Sequence, residues 1–469
     1  MQKLAYHLDK SAPLPLYEQL YQQIKTAIHR QELQLGDRLP SKRKLCQYLH
    51  ISQNTVESAY DQLIAEGYVE SHARRGFYVC FQAELDFPQT AAVLQKMPAN
   101  PPLVRPQFDF NPNAIDTVHF PFQQWKKSGQ GLYHSASQHL LPLDAAQGDL
   151  DLRQQIADYL AAARGIHCQA AQIIIGAGVE YCIQHLILLF NQLYPDRPFY
   201  YGMEHYGYPK VEKILQLYQK PIIKLPLNAQ YQLDLDFLFL QPVNIAYVTP
   251  SNVYPFGQVI PISQRQALLE WAEAQPCRFI IEDDYDSEFR YKGKPIPALK
   301  SLDKQHKVIY LGSFSKLLMP SLRLTFMILP PALLDLYQHY CACFHCPVSR
   351  FEQYRLARFI QHGYFEKHLH RMRKIYRKKM ELLCQLLAPY KHKISYYGEH
   401  SGFNLLIELL TETRSTETLL ELAARQKIKL YPIDYPQRRL FSLGFGNLSE
   451  QQISEGLAAL LAAWEIKAP

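Results

Sequence analysis

The first residue in this chain whose type and setting could do chemistry is a lysine at the end of an apolar run, Tyr310-Leu311-Gly312-Ser313-Phe314-Ser315-Lys316, with Arg323 seven residues further on. Loss of water around a lysine disfavours its charged form and leaves an amine able to add to a carbonyl carbon, which is what a Schiff base with an aldehyde cofactor requires. Upstream, Phe279-Ile280-Ile281 runs into Glu282-Asp283-Asp284-Tyr285-Asp286. A carboxylate suits a pyridinium nitrogen and a phenol suits a ring hydroxyl, so Asp283 and Tyr285 complement a pyridoxal ring. A lone Ser-x-x-Lys reads as a strand followed by a polar loop; the company of Asp283 and Arg323 turns the reading toward a site.

Three other stretches offer ligand groups. Gln172-Ile173-Ile174-Ile175 predicts a strand feeding a glycine turn, and the helix that follows would expose the N–H groups of Gly178, Val179 and Glu180 to a phosphate. Tyr208, in Tyr206-Gly207-Tyr208-Pro209-Lys210, could stack on a cofactor ring, and Asn252 and Tyr254 could meet its hydroxyl. A plain loop or core role fits each of these three equally well.

These residues require elements that end at one edge. Short apolar runs at Phe199-Tyr200-Tyr201, Ile222–225, Ile245–248, Phe279–281, Val308–310 and Thr325–328 alternate with helical patterns, 152–160 among them. That alternation predicts an α/β domain with a largely parallel sheet covered by helices, its ligand groups gathered at strand ends. A second apolar strand at 402–407 predicts a small C-terminal α+β subdomain. Phe120, Phe122 and Trp125 are expected as packing anchors.

At 469 residues the chain exceeds one ordinary core. No uncharged apolar run is long enough to span a membrane, and the charged first ten residues lack the apolar core of a signal peptide. Nine scattered cysteines suit a reducing compartment, so a cytoplasmic protein is expected. The run Cys341-Ala342-Cys343-Phe344-His345-Cys346 lacks the second half of a tetrahedral metal site and reads as helix packing, with no metal. The most basic run, 370–379, predicts a solvated helix face, with contact to DNA or to a partner's winged helix as the alternative.

The first eighty residues have their own logic. Leu16, Leu20, Ile24, Ala27 and Ile28 share one helical face; Ser41 and Ser52 are N-caps for two further helices, with Glu57 near enough to help the last one. Tyr68-Val69-Glu70 and Phe77-Tyr78-Val79 flank Arg74-Arg75-Gly76 as a two-stranded wing. A helix-turn-helix with a basic wing tip predicts contact with double-stranded DNA: Gln53, Asn54 and Thr55 toward base edges, and Arg38, Lys42, Arg43, Arg74 and Arg75 toward phosphates, with Ser41, Ser52 and Gly76 also in the DNA-binding set. Lys and Arg number ten against eight Asp and Glu in residues 1–80, so placement carries that prediction and bulk charge does not.

Leu39-Pro40-Ser41-Lys42-Arg43-Lys44-Leu45, Ser52-Gln53-Asn54-Thr55-Val56, Ala59-Tyr60 and Glu66-Gly67-Tyr68 resemble the winged helix-turn-helix of GntR-type bacterial repressors. Residues from about 106 to 465 resemble fold-type I pyridoxal-phosphate enzymes, the aspartate aminotransferase superfamily. The order of the two parts is similar to the MocR/GabR-type regulators. The resemblance implies pyridoxal 5'-phosphate as cofactor, Lys316 as the internal aldimine lysine, Asp283 on the ring nitrogen, Tyr285 beside the ring hydroxyl, and Arg323 on the phosphate with Ser313 and Ser315 near it. It implies domains over 1–80 and 106–469 with a linker over 81–105, a homodimer, and an amino-acid or amine effector. Ala177-Gly178-Val179 departs from the hydroxyl-bearing loop of many relatives, and Lys210 replaces an effector-contacting arginine of the GABA-responsive type. Arg438 or Arg439 is a candidate clamp for an effector carboxylate. A transcriptional regulator is the leading expectation, and a working aminotransferase with an appended DNA-binding domain is the alternative.

Overall fold

The computed structural model describes residues 6–81, 106–228, 230–293 and 296–467. It divides into two compact units. The expected linker, apart from residue 81, lies outside the described residues.

In the N-terminal unit, helix α1 (Leu16–His29), α2 (Lys42–Leu49) and α3 (Gln53–Ala65) pack around Leu20, Ile24, Leu45, Val56, Tyr60 and Leu63, all buried. The stripe read from sequence is the core face. Ser41 Oγ accepts the N–H of Lys44 at 3.3 Å and Ser52 Oγ that of Thr55 at 3.1 Å, so both expected caps form. His50 closes α2 in the left-handed region, at φ 52°. Glu57 does not help the first turn of α3, because its carboxylate is drawn 2.7 Å from Lys42 Nζ. The wing, β2 (Val69–His72) and β3 (Gly76–Val79), gains an edge strand, β1 (Arg38–Leu39), in the order β1-β3-β2. Two strands alone are marginal in water, and the third adds pairing along β3.

The second unit is built on a seven-stranded sheet. After a short β4 (Phe108–Asp109) come β5 (Ile173–Gly176), β6 (Tyr201–Glu204), β7 (Ile222–Leu225), β8 (Ile245–Val248), β9 (Phe279–Asp284), β10 (Val308–Ser313) and β11 (Thr325–Ile328), ordered β5-β11-β10-β9-β8-β6-β7. Helices α4 (Phe122–Ser128), α5 (Leu150–Arg164) and α6 (Val179–Leu193) precede or follow β5. Side chains alternate across the strands: Ile174, Ile281, Ile309 and Leu311 pack with α6, whereas Ile173, Ile175, Tyr310 and Phe326 share a cluster with α5. Both faces being covered, the strands read as continuous apolar runs.

One strand departs from the parallel expectation. β11 runs antiparallel to both neighbours, β10 and β5. Residues 314–324 join β10 to β11 with one turn and one short 3-10 segment, too little chain for a crossover helix, so the chain must come straight back. A smaller four-stranded sheet follows from β12 (Ile394–Tyr397), β13 (Asn404–Leu409), β15 (Tyr431–Ile433) and β16 (Arg439–Gly444), while β14 (Ile428–Lys429) pairs with β4.

Candidate cofactor site and nucleic-acid face

The C-terminal edge of the large sheet collects the chemistry. Lys316 lies in the turn after β10, where Leu318 N–H bonds Phe314 O at 2.8 Å and buried Phe314, Leu317 and Leu318 anchor the backbone. Its Nζ is 4.4 Å from the centre of the Tyr285 ring and 5.7 Å from that of Phe403. Burial pulls the Lys316 pKa down; Asp286 and Asp283 oppose it without cancelling it. An amine so placed gives up its proton more readily than an exposed lysine.

Asp283 is the penultimate residue of β9, on the α6 side of the sheet. It accepts a hydrogen bond from Tyr247 Oη of β8, and burial pushes its pKa up to about 6, with Tyr247 and Lys316 pulling back. Tyr285 donates to the carbonyl of Asn252 at 3.0 Å, and Asn252 Nδ2 donates to Asp286 at 2.7 Å. Tyr254 is partly buried, and a hydrogen bond with Ser442 moderates the upward pull of burial on its pKa. Tyr208, also partly buried, has Lys210, Glu180 and Asp283 as its charged neighbours, which sets it between the glycine turn and β9.

The glycine turn faces Arg323. Gly178 caps α6 at φ 98°, a conformation that favours glycine, and a Cβ there would lie 2.1 Å from Arg323 Nη2. Arg323 itself sits at φ 51° and bonds Glu180 at 2.7 Å. Ser313 Oγ accepts the N–H of Ser315 at 3.2 Å and lies 3.3 Å from Thr325 Oγ1. The predicted residues Gly178, Val179, Glu180, Ser313, Ser315 and Arg323 thus come from three elements to one corner of the sheet edge.

Sequence reasoning missed the supporting groups. Tyr247, in a strand read as apolar core, holds Asp283. Glu204, fully buried, takes the N–H and hydroxyl of Thr249 at 2.8 and 2.6 Å and carries a pKa raised to about 7 by burial. Arg164 and Asp284 form a buried pair at 2.7 Å, to which Tyr310 adds a hydrogen bond at 2.6 Å. Strand alternation was the available signal: Asp283 and Asp284 must face opposite sides, so each needs its own partners.

Other expectations change. Arg438 is held by Glu408 through two nitrogens and by the hydroxyls of Tyr231 and Tyr397 at 3.0 Å each, while Arg439 Nε bonds the Arg414 carbonyl at 2.9 Å. Both candidate clamps are therefore spoken for inside the chain. In the basic run, Lys379 is buried against Asp116 at 2.8 Å, because the helix turns that side inward; Arg371 and Lys374 stay exposed. Residues 342–346 form turns beyond a π-helix at Tyr337–Cys341.

On the N-terminal unit, Ser41, Arg43, Ser52, Gln53, Asn54, Arg74 and Arg75 are exposed, and Thr55 is half-buried as a capped residue. Arg38 is exposed as well and lies against Gly76, where a Cβ would come within 3.3 Å of its guanidinium. Lys42 differs from the rest, being tied to Glu57.

Comparison with known proteins agrees with both units. The family described as bacterial regulatory proteins, gntR family, matches residues 16–79, and aminotransferase class I and II matches residues 105–460. The chain is 38% identical to the HTH-type transcriptional regulator YdeL of Bacillus subtilis (strain 168), covering 98% of this chain and 99% of that one. It is 31% identical to the HTH-type pyridoxine biosynthesis transcriptional regulator PdxR of Corynebacterium glutamicum, over 81% of each. Among solved structures, the kynurenine aminotransferase of Pyrococcus horikoshii superposes with a TM-score of 0.67 at 22% identity, covering 77% of this chain and 92% of that one.

Proposed function

This chain belongs to the class I and II aminotransferase family, carries a gntR-type winged helix ahead of that domain as in the HTH-type regulators it is similar to, and on that basis we propose that it is a transcriptional regulator that senses pyridoxal 5'-phosphate itself. The cofactor of the family suits the donor set: an amine at Lys316, a carboxylate at Asp283, and a guanidinium with a helix N-terminus at Arg323 and Gly178. When bound, that cofactor supplies an aldehyde to which a primary amine adds with loss of water. Lys316 would offer the amine, Asp283 would serve a ring nitrogen, Tyr208 would lie against the ring, Asn252, Tyr254 and Tyr285 would serve its hydroxyl, and Arg323 with Ser313 and Ser315 would hold the phosphate.

The observation that carries the reading is the gathering of the buried Lys316 amine, the buried Asp283 carboxylate and the Arg323–Gly178 corner at one sheet edge. A sensor of free amino acids needs a cation for the carboxylate as well, and the candidates Arg438 and Arg439 already bond Glu408 and a backbone carbonyl, contacts that a carboxylate would have to displace or share. An amine-bearing effector is the second form of the reading, favoured by the desolvated Lys316. The chain works as a homodimer, two winged helices meeting two half-sites through Gln53, Asn54 and Thr55 at base edges and Arg38, Arg43, Arg74 and Arg75 at phosphates. Its place of work is the cytoplasm.

The test combines absorbance and gel shift on the full chain. Adding pyridoxal phosphate should give a visible imine band that Lys316→Ala abolishes, and should change the affinity for DNA from upstream of its own gene. Arg43→Ala with Arg75→Ala should abolish that shift. A Lys316→Ala protein with an unchanged spectrum, or DNA affinity blind to the cofactor, sinks the proposal; sustained product formation from an amino donor would point to the aminotransferase alternative.

A further inference from the structure

Two cations beside the glycine turn, Arg323 and Lys210, point at one carboxylate of the chain itself. Glu180 Oε2 bonds Arg323 at 2.7 Å, and its other oxygen is 3.5 Å from Lys210 Nζ. Its own backbone N–H also turns to that carboxylate, and together with Arg323 and Lys210 this outweighs partial burial and holds the pKa below the usual range, so Glu180 is ionised at neutral pH. A Cβ built on Gly178 would lie 2.4 Å from Glu180 Oε2, so the carboxylate stands directly over the helix N-terminus. The expectation from sequence was that Glu180 would lend only its N–H to a phosphate.

We propose that Glu180 is a built-in competitor for the phosphate seat: its carboxylate occupies Arg323 and the α6 N-terminus, and a phosphate dianion binds only by driving it off. The inference rests on the cofactor reading above. Its consequence is an affinity weakened enough for occupancy to follow the cofactor's concentration, which a sensor needs and a permanently loaded enzyme does not. The Glu180 carboxylate and a phosphate dianion would compete for Arg323 Nη2, so the dianion has to break the Glu180 pair and meets the repulsion of the displaced carboxylate.

The experiment is a pair of titrations on the full chain, wild type and Glu180→Gln, followed by imine absorbance and tryptophan quenching. One titrant is pyridoxal phosphate and the other is pyridoxal, which lacks the phosphate. Glu180→Gln should bind pyridoxal phosphate about tenfold more tightly, the order expected for relief of one partly exposed like-charge contact, with pyridoxal affinity changed less than about twofold. Glu180→Ala should move in the same direction, separating charge from any new hydrogen bond of the amide. Equal or weaker binding of pyridoxal phosphate by both variants overturns the role of Glu180 while leaving the cofactor reading intact. Failure of wild type and variants to bind either compound overturns both.

Discussion

Arg164→Leu should cost the second unit about 3–5 kcal/mol. Arg164 ends α5, and its guanidinium meets Asp284 at 2.7 Å with side chains 3% and 1% exposed. The same guanidinium donates to the Ile296 carbonyl at 2.6 Å and to Ser251 Oγ at 2.9 Å, so it also fastens the loop that carries Asn252. Removing one member of such a pair leaves a charge without solvent or counter-ion, which sets the magnitude. Asp284→Leu should cost a similar amount. Arg164→Leu with Asp284→Leu should cost less than the two single changes summed, because neither partner of the pair is left facing the other's absence. All three tryptophans, Trp125, Trp271 and Trp464, lie in the second unit, so urea unfolding followed by tryptophan fluorescence reports on it alone. Additive losses in the double variant, or a loss under about 1 kcal/mol for Arg164→Leu, would refute the reasoning.

Two more predictions concern stability. Glu204, raised from 4.5 to about 7, is protonated in the folded chain where the unfolded chain has already lost its proton. That stabilisation is fully present below pH 4.5 and is lost as pH rises through 7, a span worth about 3 kcal/mol for one such carboxyl. Glu204→Gln should flatten the fall in melting temperature between pH 5 and pH 8, and an unchanged slope would count against it. Ser52→Ala should weaken the N-terminal unit by about 1 kcal/mol through loss of the Thr55 cap, seen as faster amide exchange across residues 56–63 in the full chain; unaltered protection there would contradict the assignment.

Much of the molecule was readable before folding because the relevant signals are local. Ser41 and Ser52 lie one residue before their helices, Gly178 lies one residue before α6, and the buried strands announce themselves as apolar runs. Lys316, Asp283 and Arg323 were legible because a charged residue at the end of such a run has few reasons to be there. What escaped depends on partners distant in sequence. Tyr247 looks like any strand tyrosine until β8 pairs with β9, and nothing near Arg438 tells that Glu408 will face it across β13 and β16. The Lys42 pairing was not legible because Glu57 belongs to the next helix. The orientation of β11 was recoverable in principle, since residues 314–324 are too few for a crossover.

That short return has a further consequence. Lys316 and Arg323, the groups proposed for the cofactor's aldehyde and for its phosphate, hang on one connection of fixed length, pinned at Phe314 and Leu324 by a backbone hydrogen bond at 3.0 Å. The connection therefore acts as a ruler. Surface loops elsewhere tolerate changes of length, but one residue inserted or deleted between these two positions would shift the amine relative to the guanidinium.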